Sequence, residues 1–351
     1  MGLAAPIAAL PLTSCSAAPS TARSTTPSVT RPAGAADAPA VPAPAAGPLQ
    51  KVTVAFVAPG EALATPWMAK EGGFFAKYGF DAEVPLITGS PRLTQSLIAG
   101  DVEYAVVGVT AVVHAAWQGA DAVLLAATTN YSSQRLWAHP RAGIRTLADL
   151  RGKTVGITQY GSEGDSFLRV VLGRVGLRPE EVSIIQVGGT PQVAAALATG
   201  NVDAGIMGVG SSLPAQQIGA IGIADGQGMN VLAPAGTLAT TRRCVERDRD
   251  SVRRLLRAYV EATHFFKTNR EGAIRIMQQY MGASSPDEVA PIYDAIQPVY
   301  ERVPYVTEEA IQAVIDREIG PEAGQFKASD VIDTSFLREI EESGLVAQLY
   351  R

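Results

Sequence analysis

The chain has 351 residues, 47% of them apolar and 18% charged, a length that favours two domains with substantial cores. A formal net charge of −5 leaves no basic surplus to neutralise phosphates, which argues against nucleic acid as a partner. No run of 18 apolar residues is present, so no spanning helix is expected.

The amino-terminal end reads as an export and tethering segment. Leu12-Thr13-Ser14-Cys15 resembles a bacterial lipobox, in which small residues before a cysteine permit lipidation and cleavage. A short apolar stretch precedes it, without a Lys or Arg. Residues 1–15 are therefore expected to be a lipoprotein signal with Cys15 as the lipidation site, against the alternative of an accidental match. Residues 16–50 are built from Ala, Pro, Ser and Thr and hold seven prolines. Such a segment buries too little apolar area to offset ordering entropy, so a disordered tether is expected. With Cys15 lipidated, Cys244 has no disulfide partner and reads as a small residue filling space near a chain crossing.

From Lys51 onward, strands and helices alternate. "KVTVAFVAPG" is a β-branched run closed by Pro-Gly, hence a strand over 52–58. "TPWMAKEGGFFAKYG" reads as a helix capped by Thr65, with Pro66 in its first turn and Gly79 at its end. "DAEVPLI" is a strand, and in "GSPRLTQSLIAG" Ser90 caps a helix that Gly100 stops. "VEYAVVG", "TAVVHAAWQG" and "AVLLAAT" follow as strand, helix and strand. The second half repeats this order with "KTVGITQYG", "SEGDSFLRVVLGRVG", "VSIIQV", "GTPQVAAALATG" (capped by Thr190) and "VDAGIMG". Alternation of this kind implies parallel βαβ units. The stretches beginning at Gly89 and Gly189 align with Gly100 on Gly200 and Gly108 on Gly208, so two similar α/β lobes are expected. Beyond residue 243 the pattern is helical, with Val252, Leu255, Leu256, Tyr259, Val260 and Phe266 on one stripe. "REGAIRIMQQYM", "TEEAIQAVIDREI" and "TSFLREIEESG" are further amphipathic helices, expected to pack back on the first lobe.

No catalytic constellation emerges. Gly152-Lys153-Thr154 lacks the upstream glycine of a phosphate-binding loop, because Leu147 stands there. Ser162 lies between Gly161 and Gly164, not at the spacing of a nucleophile elbow. His114, His139 and His264 have no ligand-spaced neighbours and read as structural, so neither a metal nor a cofactor is expected. What remains are the loops "VAPGEALATPW", "TGSPR", "GVTA", "TQYGSEGD", "GGTPQ" and "MGVGSS", at the carboxyl ends of strands where open α/β sheets bind ligands. Several open helices whose first N–H groups are free to hold an anion or a polar acceptor. Arg92 and Gln192 stand in the first turns of the two equivalent helices, and Trp67, Tyr131 and Tyr160 lie in or beside these segments, either to stack on a flat solute or to pack the hinge.

The run of "WMAKEGGFFAKYGFDAEV", "SLIAGDVEYAVVG", "GADAVLLAA", "IRTLADLRGKTVGI", "GLRPEEVSIIQVGG", "AALATGNVDAGI" and "LLRAYVEATHFFKTNREGAIRIM" resembles the nitrate/sulfonate/taurine-type solute-binding proteins of ABC importers, from about residue 51 to 350. The resemblance implies a type II periplasmic-binding-protein fold: two βαβ lobes joined by a hinge, with extra carboxyl-terminal helices on the first lobe. It implies a first lobe over 51–132, a second over 133–236, and a return over 237–351, with chain crossings near 131–134 and 237–241. Carried over by position, the ligand loops hold Gly60, Trp67, Gly89, Ser90, Arg92, Gly108, Val109 and Thr110 on the first lobe. On the second they hold Gln159, Tyr160, Gly161, Ser162, Gly189, Thr190, Gln192, Gly208 and Ser211. The implied function is capture of a small polar or anionic solute (a sulfonate, nitrate, a pyrimidine or an aromatic acid) by a monomeric, lipid-anchored protein in the periplasm or at the cell surface. Delivery to a permease powered by an ATPase would follow. Two alternatives stay open: an enzyme like the thiamine-pyrimidine synthases that share the fold, whose cysteine-rich motif is absent here, and a ligand-sensing module.

Overall fold

The computed structural model describes residues 47–208 and 210–351. The lipobox, with Cys15, and nearly all of the expected tether lie outside the described residues.

In chain order the first lobe opens with β1 (Gln50–Phe56), α1 (Thr65–Glu71), α2 (Phe74–Lys77) and β2 (Phe80–Glu83). It continues through α3 (Ser90–Ala99), β3 (Tyr104–Val107), α4 (Val109–Trp117) and β4 (Ala122–Ala126). A short β5 (Thr129–Tyr131) leads across to the second lobe. There follow β6 (Arg135–Ala138), β7 (Thr154–Ile157), α5 (Glu163–Arg174), β8 (Ser183–Gln186), α6 (Thr190–Ala198), β9 (Ala204–Met207), α7 (Leu213–Gln217) and β10 (Ile221–Asp225). The chain returns through β11 (Leu232–Ala235) into β12 (Thr237–Thr241), then α8 (Arg242–Arg247), α9 (Arg249–Thr268), α10 (Arg270–Met281), α11 (Pro286–Ile296), α12 (Glu308–Glu318), α13 (Ser335–Glu342) and α14 (Leu345–Leu349).

The two five-stranded sheets share one order. The first is β2-β1-β3-β12-β4, the second β8-β7-β9-β6-β10, and β5 pairs with β11 between them. In each, the first three strands of the lobe are parallel and the fourth position is an antiparallel strand lent by the crossing chain, β12 in one case and β6 in the other. Parallel strands send all their following loops to one edge, which is why each lobe presents three loops to the same place. β12, interior to its sheet, is buried along its whole length. Residues 237–241 therefore belong to the first sheet rather than to the return crossing expected there; that crossing runs through β11 and Gly236.

Both sheets are covered on two faces. On the first, Val52, Val54 and Phe56 pack with Trp67, Tyr259, Phe266 and Phe336 on one side. Ala105, Val107 and Leu124 pack with Leu93, Val112 and Ile311 on the other. The predicted stripe of α9 is buried throughout, so the carboxyl-terminal helices do enclose the first lobe. The second sheet is covered by α5 through Phe167, Leu168, Val171 and Leu172, and by α6 through Val193, Ala194 and Leu197.

Local chemistry corrects several helix starts. The expected helix over 65–79 breaks in two at Gly73, which takes a left-handed φ of 73°. Thr65, Ser90 and Thr190 are the first helical residues, not the caps; Ala64, Gly89 and Gly189 hold the cap positions and no side chain caps them. Ser90 is diverted because its Oγ accepts from the Gly108 N–H at 3.3 Å. Ser162 does cap its helix, accepting from the Asp165 N–H at 3.3 Å.

Candidate functional site

A cavity of about 90 Å³ lies between the two lobes, at the carboxyl ends of β1, β2 and β3 on one side and of β7, β8 and β9 on the other. A single water needs about 10–15 Å³ of such space, so the cavity suits a compact solute. Of the residues singled out from the sequence, Gly60, Gly89, Ser90 and Gly108 line it from the first lobe. Ser162, Gly189, Thr190, Gly208 and Ser211 line it from the second. Both expected helix starts, at α3 and α6, thus face one cleft.

The remaining candidates do not line it. Trp67 is fully buried in the first-lobe core, stacked on Tyr280 with centroids 5.0 Å apart, because α1 turns its apolar face to the sheet. Arg92 and Gln192 are exposed, since the first helical turn swings them outward from residues that do line the cleft. Val109 and Thr110 are buried at the start of α4. Tyr160 is exposed, its hydroxyl donating to the Ile184 carbonyl oxygen at 3.0 Å, and Tyr131 is also exposed. Gly161 makes a turn with φ 73°, its N–H bonded to Asp165. Gln159 reaches across the cleft to Gly89, where an added Cβ would lie 2.5 Å from Nε2.

Among the lining residues that were not singled out from the sequence, two are acidic. Glu61 comes from the loop after β1 and is 2% exposed; Glu163 comes from the equivalent loop after β7, at the first position of α5. They cross the cleft in matching ways. A Cβ added at Gly108 would sit 3.5 Å from Glu163 Cβ and 2.9 Å from Ser90 Oγ. A Cβ added at Gly208 would sit 2.9 Å from Glu61 Oε1. Each glycine ends the third strand of its lobe and makes room for the glutamate of the other. The available signal was positional: each acid directly follows a residue that sequence reasoning had selected, Gly60 or Ser162. Reasoning from helix starts toward anions passed over the carboxylates.

Both glutamates are held by the crossing chain and its neighbours. Ser132 Oγ donates to Glu163 Oε1 at 3.1 Å, and Ser133 and Gln134 line the cavity beside it. The enclosing lobes desolvate the Glu163 carboxyl and push its pKa up to about 7, opposed by hydrogen bonds from Ser132, Gln134 and the Ser133 backbone and by the charge of Arg317. The Glu61 loop is fixed through its backbone: Tyr300 donates to the Glu61 carbonyl oxygen at 2.7 Å and Thr128 to that of Ala62 at 2.9 Å. At Gly236 the backbone has φ 60° and passes so close that a Cβ would run into the Ala62 oxygen and Thr128 Oγ1. Across the lobes, Ser211 Oγ donates to the Pro59 oxygen at 3.4 Å. Behind the crossing, Arg317 of α12 donates to Ser166 Oγ of α5 at 3.2 Å and to the Leu232 oxygen at 3.1 Å, while Ser166 bonds Glu318.

None of the described lining residues is Cys, His, Lys or Arg. Among the described residues, no group of His, Cys, Asp or Glu could hold a metal ion, and no helix is long and apolar enough to cross a membrane. Cys244 lies away from the cleft in α8, its N–H bonded to Thr241 Oγ1 at 3.1 Å. The arrangement can enclose a small polar molecule; it presents donors at two helix starts and acceptors at two carboxylates.

A family model described as NMT1/THI5 like matches residues 63–273, and the chain belongs to this family. Its fold is that of the periplasmic solute-binding proteins of the sulfonate and nitrate type. The alkanesulfonate-binding protein SsuA from Xanthomonas axonopodis pv. citri, bound to MOPS, superposes with a TM-score of 0.68, covering 83% of this chain and 100% of its own at 18% identity. The periplasmic nitrate-binding protein NrtA from Synechocystis PCC 6803 gives 0.71, covering 86% and 91% at 16% identity. The desulfurization enzyme DSZB gives 0.63, covering 86% and 100% at 16% identity, so an enzyme also uses this fold. A Brucella abortus protein named as a candidate binding protein is 30% identical over 155 residues, 44% of this chain and 46% of its own length; the chain spans just under half of that relative.

Proposed function

We propose that the protein is the extracytoplasmic solute-binding component of an ABC importer, which closes two lobes over a compact polar solute and delivers it to a permease. The observation that carries this reading is the crossed pair of contacts, Gly108 with Glu163 and Gly208 with Glu61, around a cavity between lobes. With lobe boundaries at 132/133 and 236/237, the hinge would lie beside that cavity. Lipidation of Cys15 would hold the protein, as a monomer, outside the cytoplasmic membrane, with 16–50 as the tether. Cys15→Ala should then move the protein from the membrane to the soluble fraction of a bacterial host; equal partition of both forms would contradict the anchor.

The reading is a binder rather than an enzyme; none of the described lining residues is Cys or His. The similarity to a desulfurization enzyme keeps the enzyme alternative concrete, and the sensing module differs only in its partner. One experiment addresses binding and turnover together. The full chain is screened for thermal stabilisation against a broad panel of solutes, where a ligand at 100 times its Kd adds about 2.7 kcal/mol, and the recovered solute is analysed chemically. Stabilisation with unchanged solute supports the reading. Conversion of the solute to a product, or no stabilising solute in the panel, would contradict it.

A further inference from the structure

We propose that the cleft selects a compact nitrogenous solute, cationic or rich in N–H donors, gripped between Glu61 of one lobe and Glu163 of the other, and that it rejects small oxyanions. This rests on the solute-binding reading and sharpens it to a substrate class. The sign of the lining decides the matter. Two carboxylates face the cavity and none of its described lining residues carries a positive side chain. Arg92, in the first turn of α3, is exposed and outside the lining. Arg317, whose charge reaches Glu163, holds Ser166 and Glu318 through Nε and the Leu232 oxygen through Nη1, and it does not line the cavity either.

Above about pH 7, where Glu163 is ionised, an oxyanion entering this space would face two carboxylates in a largely desolvated site, where like charges repel far more than in water. The helix starts of α3 and α6 offset only part of that, since each carries about half a unit of positive charge. An amidine, an amine-bearing heterocycle or an amide meets both features. Its N–H groups would donate to the two carboxylates, and its acceptor edge would face the backbone around Gly89 and Gly189 and the Ser90 hydroxyl, whose oxygen already accepts from Gly108. The crossed geometry makes the grip depend on closure, because each glutamate belongs to a different lobe from the glycine it faces.

The test is calorimetric titration of the full chain at about pH 8, where Glu163 is ionised, with acetamidinium, 4-aminopyrimidine, methanesulfonate and nitrate. The expected result is binding of at least one nitrogenous probe and none of either oxyanion. Glu163→Gln and Glu61→Gln should each weaken the nitrogenous probe roughly tenfold or more, with thermal melting checked to show that both variants fold. Both variants fully folded and binding as tightly as the unaltered chain would overturn the proposal. So would silence of both nitrogenous probes up to about 10 mM, well above the millimolar affinities that weak contacts give. Binding of methanesulfonate or nitrate, tightened by Glu163→Gln, would overturn it while leaving the solute-binding reading intact. Only a broad solute panel without any binder removes that reading too.

Discussion

In the first lobe, a sheet of five strands is buttressed by α9, α10, α11, α12 and α13, and its core holds Trp67, Phe75, Tyr259, Phe266 and Phe336 fully or nearly fully buried. In the second lobe, a sheet of the same order is covered by α5, α6 and α7, and its largest fully buried side chain is Phe167. Yet the two contribute alike to the cleft: three loops, the start of α3 or α6, one glycine after the third strand and one glutamate after the first. The mass is asymmetric and the site is symmetric. The sheet edge, which the repeated βαβ order dictates, therefore builds the site, whereas the carboxyl-terminal helices set how rigid one half is.

The largest difference should appear in stability without binding. Trp67→Ala removes a fully buried ring from the first-lobe core and should destabilise the chain by about 3–5 kcal/mol in chemical denaturation, with solute affinity unchanged for the folded fraction. A parallel fall in affinity would return Trp67 to the cleft.

Next comes the pH dependence of folding. Burial raises the Glu163 pKa from 4.5 to about 7. Between these values the folded chain keeps a proton that the unfolded chain has released, so stability should fall as pH rises from about 4.5 to about 7 and then level off. The contribution of this one group is up to about 3 kcal/mol. Glu163→Gln should flatten that limb of the profile; an unchanged profile would show that the group is not desolvated.

The two glycines should break the symmetry of the cleft. Gly108→Ala drives a methyl toward Ser90 Oγ, which the Gly108 N–H itself holds in place, and toward the Glu163 stem. Gly208→Ala meets only the far end of the Glu61 side chain. Overpacking of this kind costs about 1–3 kcal/mol, so Gly108→Ala should weaken solute binding more than Gly208→Ala does. Equal loss, read by calorimetry, would mean that the cleft tolerates a methyl no better at one glycine than at the other. The smallest effect is expected at Arg92, exposed and outside the lining: Arg92→Ala should stay within about 0.5 kcal/mol in both stability and affinity.

Much of this was legible in the chain. Strand–helix alternation and the duplicated stretch at Gly89 and Gly189 gave the two lobes, and the stripe on α9 gave the first-lobe buttress, because period and repeat are set by burial itself. What escaped was set by tertiary choice. Ser90 has the chemistry of a cap, but Gly108 competes for its hydroxyl. Trp67 lies in the right segment and points the wrong way. α11 was not foreseen because Pro291 stands inside it, a residue that normally ends helices. β10 and β11 are short and interrupted by Gly222 and Pro234, which hide their periodicity. Glu61 and Glu163 were in view but carried no local pattern; only the folded cleft brings carboxylates of separate lobes together.

The central claim is that the solute lies between those carboxylates, and its affinity as a function of pH tests this most directly. The groups facing Glu163 are Ser132, Ser133 and Gln134 from the crossing chain, Arg317 from α12 and Glu61 across the cavity, with Asp165 on its own helix. The Glu163 carboxyl itself is pushed up to about 7 by its desolvation. Acetamidinium keeps its charge throughout, so its affinity should rise roughly tenfold from about pH 6 to about pH 8 as Glu163 ionises, and that rise should vanish in Glu163→Gln. An affinity that falls with rising pH, or one that is flat in the unaltered chain, would contradict the account.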